Sequence, residues 1–246
     1  MAAHLRACWR LARALPHVAA GWLTIAFVFP TLEAAERHER VQRWAAEMLR
    51  RIGVRLEVHG APPAHGPMLL VANHISWLDI LVMHAARHCR FVAKSDIRRW
   101  PLIGTLASGA GTLYIERESR RDAMRVVHRM AESLRAGDVI GIFPEGTTTD
   151  GTFLLPFHAN LLQAAISTGT PVQPMALGFY AQDGTTCLAP RYDGDISLLA
   201  SVWSTLAADV SARVVFGEPQ SAEGRERRAW AHDLQAAVAR LGGETR

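Results

Sequence analysis

Short apolar runs alternate with amphipathic stretches along the chain after residue 53. Seven runs have the length and composition of buried strands, at Val54–Val58, Met68–Ala72, Arg90–Ala93, Thr112–Ile115, Val139–Phe143, Val172–Leu177 and Ala212–Phe216. Between them, apolar residues recur at helical spacing, which predicts helices at Trp77–Ala86, Arg120–Arg135, Ala159–Ser167, Leu198–Ala208 and Glu226–Leu241. Pro174 interrupts one apolar run, which predicts an edge strand or a bulge there. The alternation predicts an α/β fold, a mixed and largely parallel sheet flanked by helices, with ligands at the carboxyl ends of the strands.

The first 52 residues follow a different pattern. Val18–Leu32 is almost uncharged and apolar, and Arg6, Arg10 and Arg13 precede it. Such a run fits a signal peptide, a spanning helix, an interfacial or re-entrant anchor, or a core helix. It is shorter than the ~20 residues that a spanning helix needs, prolines interrupt it, and no convincing cleavage site follows. We therefore expect a membrane-associating helical segment over residues 1–52, lying at the bilayer interface, ahead of a domain at 53–246.

The arginine-rich helix predicted at Glu36–Ile52 has two interpretations. Apolar residues recur on one side of it, and five arginines lie among them. These arginines are either an ordinary solvated face or a contact with anionic lipid.

Composition narrows the choice of partners. The chain has 246 residues, a formal net charge of +4 and a pI near 9.4, which fits a phospholipid surface, a phosphorylated substrate or an acidic carrier protein. Nucleic acid is disfavoured because no basic run is interleaved with aromatic residues. The three cysteines form no Cys-x-x-Cys pair, and no His/Cys cluster has ligand spacing, so we expect no disulfide framework, metal or organic cofactor.

The stretch Asn73-His-Ile-Ser-Trp-Leu-Asp79 carries the strongest chemical signal. It follows a buried strand directly, which places His74 on the strand-to-helix turn and Asp79 in the first turns of the next helix. A carboxylate on one ring nitrogen fixes the histidine tautomer and leaves the other nitrogen to accept a proton. No Gly-x-Ser-x-Gly elbow accompanies the pair, and the cysteines lie elsewhere, so we expect the proton to come from a substrate hydroxyl.

Three further blocks follow in order, at Gly111–Arg117, Phe143–Thr147 and Val172–Ala176. Together with the His74 block they resemble the glycerolipid acyltransferases, the family of 1-acylglycerol-3-phosphate and lysophospholipid acyltransferases, from about Gly60 to about Pro219. The resemblance implies transfer of a fatty acyl group from acyl-CoA or acyl carrier protein to a lysophospholipid hydroxyl. Lysophosphatidic acid is the first expected acceptor, giving phosphatidic acid at the cytoplasmic face of the inner membrane, with the protein monotopic or peripheral.

The same resemblance implies roles for individual residues. His74 is the general base and Asp79 holds its ring. Gly111 and Arg117 are expected to bind glycerol phosphate, and Lys94, at a predicted strand end, to assist with phosphate. Surface ion pairing of Arg117 and simple solvation of Lys94 are the alternatives.

The turn after the Val139–Phe143 run is the other expected part of the acceptor site. Glu145, Gly146 and Thr147 are assigned to acceptor binding, with an ordinary turn as the alternative. Asn73 is expected to brace its turn, to polarise the donor carbonyl, or to act only as a helix cap. Trp100–Gly104 and the apolar residues after it fit either an acyl-chain groove or core.

The residues just after Thr147 depart from the family pattern. Thr148-Thr149-Asp150 follows Thr147, where many relatives have arginine or lysine. That difference puts phosphate binding by this loop in doubt. It makes a lyso-aminolipid, such as lyso-ornithine lipid, the second expected acceptor; a non-catalytic lipid-binding protein of the same fold is the third interpretation.

Overall fold

A single seven-stranded sheet organises the molecule. The computed structural model describes residues 1–115 and 120–243. Within them the strands are β1 (Val54–His59), β2 (Met68–Ala72), β3 (Arg90–Lys94), β4 (Leu113–Ile115), β5 (Val139–Ile142), β6 (Val172–Tyr180) and β7 (Val210–Phe216). Their order is β1-β7-β6-β2-β5-β3-β4, and every pair is parallel except β6 and β7. The predicted mixed and largely parallel sheet is confirmed.

Helices cover both faces of this sheet. They are α1 (Ala2–Leu23), α2 (Ala34–Ile52), α3 (Leu78–Ala86), α4 (Ile103–Gly109), α5 (Arg120–Arg135), α6 (Leu162–Thr168), α7 (Leu198–Ala207) and α8 (Arg227–Gly243). One core lies between the sheet and α1, α2, α3 and α7, and a second lies between the sheet and α5, α6 and α8. The predicted helix at Ala159–Ser167 begins as a 3₁₀ turn over Ala159–Leu161.

The prediction of an edge strand at Pro174 was wrong, whereas the alternative, a bulge, agrees with the pairing. Strand β6 lies inside the sheet, between β7 and β2, so Pro174 is not at an edge. Its carbonyl accepts a hydrogen bond from Gly217 N–H at 2.9 Å, on the β7 side. The register with β7 ends one residue further along, where Met175 pairs with Phe216. Pairing resumes where Val172 exchanges backbone hydrogen bonds with Gln220, so two residues of β6 lie opposite the three residues 217–219. A missing N–H is tolerated where such an extra residue interrupts the ladder.

The N-terminal helix is longer than its sequence pattern predicts. Helix α1 runs through Pro16 and continues as a π turn (Thr24–Val28) and a 3₁₀ turn (Phe29–Thr31). The expectation that the apolar run is too short and interrupted was therefore wrong. Residues 2–31 form one 30-residue helical segment that is long and apolar enough to cross a membrane by length and composition.

Packing against α2 and α7 explains how this helix tolerates its proline. Arg10, which is buried, donates hydrogen bonds to two carbonyls at the end of α7 and pairs with Asp209 at 2.9 Å. His17 and Trp44 stack, and each ring also bonds to the other residue's carbonyl, at 3.0 and 3.1 Å. Tertiary contacts of this kind outweigh the loss of one helical hydrogen bond. The predicted segment 1–52 therefore shares one core with the sheet.

Candidate active site

His74 and Asp79 meet as the sequence predicts. His74 follows β2 on the turn at the carboxyl edge of the sheet, and Asp79 lies in the first turn of α3. The distance from His74 Nδ1 to Asp79 Oδ2 is 2.7 Å. Asp79 is fully buried, whereas the His74 side chain is 23% exposed, so the ring can be reached while its partner cannot. A ring held this way through Nδ1 presents Nε2 as a proton acceptor.

The Asp79 carboxylate also shapes the turn that carries His74. Its Oδ2 atom accepts hydrogen bonds from the N–H groups of Ile75 and Ser76 at 2.7 and 2.9 Å. Its other oxygen, Oδ1, is buried and has no hydrogen-bond partner in the described part of the chain. A carboxylate near the start of α3 is favoured by the positive end of the helix dipole. One buried side chain therefore fixes both the ring and its backbone.

Phe143 supports the opposite side of the imidazole. Its ring stacks on His74 with centroids 4.0 Å apart and planes within 10°, and Phe91 stacks on Phe143 in turn. The ring of His74 is therefore held by a hydrogen bond at Nδ1 and by aromatic packing across its face.

Glu145, on the turn after the neighbouring strand β5, braces the turn that carries His74. Its Oε1 accepts from His74 N–H and its Oε2 accepts from Leu155 N–H, both at 2.8 Å. Burial raises the pKa of this carboxyl above its ordinary value, and the two backbone hydrogen bonds oppose that rise. Thr149 N–H donates to the His74 carbonyl at 2.9 Å. The segment after β5 therefore holds both backbone groups of His74, a role that the sequence did not indicate.

Both polar atoms of the Asn73 side chain form hydrogen bonds with the backbone of β6. Its amide nitrogen donates to the Leu177 carbonyl at 3.0 Å, and its amide oxygen accepts from Leu177 N–H at 2.7 Å. The side chain extends the β2–β6 pairing by one step and is buried. Of the three roles predicted for Asn73, these contacts favour bracing of the turn.

A segment around Pro190, which no sequence pattern indicated, is hydrogen-bonded to the turn that follows His74. Ser76 and Ser201 both donate their hydroxyls to the Pro190 carbonyl, and Tyr192 N–H donates to the Ile75 carbonyl at 3.2 Å. Trp77 joins them through Ser201 Oγ at 3.1 Å. No local pattern around Pro190 marks it, because these bonds join it to residues far away in the chain.

The remaining predicted site residues fall in different places. Lys94 is exposed at the carboxyl edge of β3, two strands from β2. Gly146 and Thr147 are exposed on the turn after β5. Gly146 has φ +76°, and a Cβ there would lie 3.3 Å from the His158 ring.

Of the two residues predicted from the Gly111–Arg117 block, the structure describes only Gly111. Gly111 lies before β4, at the amino edge of the sheet, where its carbonyl accepts a hydrogen bond from Arg90 Nε at 2.8 Å. Arg117 lies outside the described residues.

A cavity of about 480 Å³ opens beside the turn that carries His74. Asn73 and Ile75, the two neighbours of His74, line it, although the His74 side chain does not. Its floor comes from β6 and β7 and its wall from α8, with Asp150 at one side and Arg213 on the floor. Hydrogen bonds from Thr152 lower the pKa of Asp150 below its ordinary value, so this carboxyl is ionised at neutral pH.

Comparison with known proteins assigns this protein to the acyltransferases by sequence, and one of their solved structures shares its fold. A family model described as acyltransferase matches residues 55–178, about half of the chain. The crystal structure of the 1-acyl-sn-glycerophosphate (LPA) acyltransferase PlsC from Thermotoga maritima has the same fold. It superposes with a TM-score of 0.68 at 19% identity, covering 96% of this chain and 97% of that one.

Sequence relatives make the assignment more specific. A lyso-ornithine lipid O-acyltransferase from Pseudomonas aeruginosa is 37% identical, over 96% of this chain and 93% of its own. A 1-acyl-sn-glycerol-3-phosphate acyltransferase from Neisseria meningitidis is 38% identical, over 68% of this chain and 66% of its own. The chain belongs to the acyltransferase family that includes both kinds of enzyme, and the predicted resemblance is confirmed.

Proposed function

We propose that this acyltransferase uses His74 and Asp79 as a general-base pair to acylate the free hydroxyl of a lysolipid. The observation that carries the proposal is the 2.7 Å contact between His74 Nδ1 and a fully buried Asp79. A free alcohol is a poor nucleophile at neutral pH, and removing its proton as attack begins lowers the barrier.

The proposed reaction needs one base and no side-chain nucleophile. His74 Nε2 takes the hydroxyl proton while the hydroxyl oxygen attacks the thioester carbonyl of acyl-CoA or acyl carrier protein. Asp79 stabilises the imidazolium that forms. The thiolate then leaves and takes the proton, so the products are the acylated lipid and the free thiol.

We propose a lyso-aminolipid of the lyso-ornithine type as the acceptor, ahead of lysophosphatidic acid. Asp150 and Arg213 both line the cavity beside the turn that carries His74, so this cavity offers one negative and one positive group. The ammonium of an ornithine headgroup suits Asp150, and its carboxylate suits Arg213, which also pairs with Glu57 at 3.1 Å. The near full-length similarity to a lyso-ornithine lipid O-acyltransferase supports this choice.

Lysophosphatidic acid remains the second candidate acceptor. Lys94, exposed at the carboxyl edge of the sheet, and the similarity to a 1-acylglycerol-3-phosphate acyltransferase favour it. For either acceptor the protein works at a bilayer surface, as the apolar helical segment at residues 2–31 supports. We propose the cytoplasmic face, where both acyl donors occur.

The test is acyl transfer by detergent-solubilised protein, with lyso-ornithine lipid and lysophosphatidic acid offered side by side and each donor tried in turn. His74→Ala and Asp79→Asn should lower kcat by roughly 10³-fold and 10²-fold or more. His128→Ala, which removes an exposed histidine on α5, is the matched control and should leave kcat unchanged. Full activity of His74→Ala would refute the general-base role.

Asp150→Arg tests the choice of acceptor in the same assay. Reversing this charge should raise KM for lyso-ornithine lipid and lower it for lysophosphatidic acid. Asp183→Arg is the matched control, because Asp183 accepts from the N–H and hydroxyl of Thr185 as Asp150 does from Thr152, yet it does not line the cavity. Wild-type product from lysophosphatidic acid alone would make it the acceptor instead.

A further inference from the structure

A second cavity, of about 490 Å³, lies between the N-terminal helical segment and α4. Ile25 and Phe29 wall it on one side, and Gly104 and Gly109 on the other. The two walls approach closely because α4 has a glycine, without a side chain, at the contact. A Cβ on Gly109 would lie 2.5 Å from Ile25 Cδ1. None of the residues that line this second cavity is shared with the cavity beside the turn that carries His74.

Two guanidinium groups, Arg37 and Arg98, also line this cavity. Arg37 Nε donates to the Leu32 carbonyl at 3.0 Å, which holds the group in place and leaves both terminal nitrogens to bind a ligand. Arg98 lies over the Tyr114 ring, 5.9 Å from its centroid. Within residues 1–115 and 120–243, neither arginine forms an ion pair with a carboxylate. Two positive charges therefore line one cleft that has no carboxylate counterion among the described residues.

Exposed apolar side chains continue from both walls of the cleft. On the N-terminal segment these are Trp22, Leu23 and Phe27, and on the segment between Arg98 and Gly104 they are Trp100, Leu102 and Ile103. Leu102 is held at φ +62°, a strained conformation for a leucine. Apolar residues that flank a pair of cations are typical of a surface that lies at the boundary of headgroups and acyl chains.

We propose that this cleft binds one anionic phospholipid of the bilayer. The phosphate lies between Arg37 and Arg98, since planar guanidinium groups match phosphate oxygens in pairs. An acyl chain lies along Ile25 and Phe29. The proposal rests on the membrane association proposed above, and it adds a lipid site separate from the acceptor site, so the protein selects anionic membrane regions.

The test measures binding of dioctanoyl phosphatidylglycerol to the full chain in neutral detergent, without acyl donor. Dioctanoyl phosphatidic acid, dioctanoyl phosphatidylcholine and inorganic phosphate are compared as ligands. Both anionic lipids should bind, the zwitterionic lipid at least tenfold more weakly, and inorganic phosphate only weakly. Each arginine near an anionic lipid contributes about fivefold, so Arg37→Gln with Arg98→Gln should weaken binding roughly 25-fold.

Arg40→Gln with Arg99→Gln is the matched control, because it removes equal charge from the same two segments outside the cavity. Arg37→Lys retains the charge if Arg37→Gln loosens the helix end, and it should keep the preference for anionic lipid. Equal loss in the control pair, or equal binding of inorganic phosphate, would overturn the proposal.

Two further results separate this site from the rest of the function. A raised KM for the lysolipid in the Arg37/Arg98 pair alone would make these arginines part of the acceptor site, and the proposal would fall. Failure of the catalytic proposal would appear instead as absent acyl transfer with lipid binding intact.

Discussion

Glu145 joins two backbone N–H groups that come from positions 71 and 10 residues away along the chain. Its place after a strand, within a block that resembles the family motif, predicted acceptor binding for Glu145. In the structure both of its oxygens accept from backbone, and it is buried. Its contacts favour a positioning role, in which it holds the turn that carries His74.

Replacing Glu145 with Gln tests that role. An amide can accept one of the two N–H bonds but turns a donor towards the other, which costs about 1–3 kcal/mol. We expect kcat to fall about 10-fold to 100-fold with KM for the acceptor unchanged, together with lower stability. Steady-state kinetics and denaturant unfolding measure both, with Glu132→Gln on the exposed face of α5 as the matched control. A raised KM with normal kcat would return Glu145 to acceptor binding.

His74 and Asp79 could be predicted as a contacting pair from sequence, since the strand before them and the helix after them dictate a local geometry. The surroundings of Gly111 and Pro190 could not be predicted from sequence in this way. The structure places Gly111 at the far edge of the sheet, bonded to Arg90, and brings Pro190 against Ser76. Spacing along the chain encodes local contacts, whereas these positions depend on strand order.

Between elements, three histidines link α2 to α3 and the loop after it. His88 stacks on His38 at 4.4 Å and on His84 at 5.1 Å. Burial first, and neighbouring histidines after it, lower the pKa of His84 to about 3 and that of His88 to about 2. Arg87 and Arg90 also disfavour charge on His88, and Asp138 has the opposite effect at His38. The stack is therefore neutral in the folded protein.

This neutral stack predicts that acid destabilises the junction. The unfolded chain takes up protons below the ordinary pKa of 6.5, whereas the folded chain does not, so the free energy of unfolding falls as pH drops below 6.5. At pH 5 the loss is roughly 2 kcal/mol for each of His84 and His88. Denaturant unfolding between pH 7.5 and 5 measures it.

Variants of the stacked histidines and of one exposed histidine separate the source of this pH dependence. The double variant His84→Phe, His88→Leu should flatten the decline, whereas His128→Leu, which changes an exposed histidine, should keep it. An equal decline in both variants would place the effect elsewhere in the protein.

At the scale of the whole molecule, the N-terminal segment belongs to the catalytic fold and also presents an apolar surface. Arg10 and His17 fasten α1 to α7 and α2, and Ala7 and Ala14 enter the same core as β2. Only 11% of its most apolar 18-residue window is buried. A helix that is docked along its length yet largely exposed favours the predicted anchor that lies at the interface.

Phe27→Asp tests that surface. Phe27 is 71% exposed, so the fold should tolerate the change, but a carboxylate at the acyl boundary opposes insertion. We expect roughly tenfold or greater loss of cosedimentation with lipid vesicles. Met124→Asp on α5 is the matched control, since Met124 is 75% exposed and lies on the other side of the sheet. Equal loss in both variants would remove residues 2–31 from the membrane contact.

The sequence by itself determined the α/β class, most strand and helix positions, the His74–Asp79 pair and the acyltransferase family. The first three depend on periodicity or on residues a few positions apart, which short-range sterics and hydrogen bonds decide. The family follows from four blocks that resemble known acyltransferases in the same order. Only the tertiary structure decided that β6 lies inside the sheet despite Pro174, that Glu145 and Asn73 brace the turn, and that Arg37 and Arg98 share a cleft. These depend on the packing of segments distant in the chain, and no local pattern records which partners they meet.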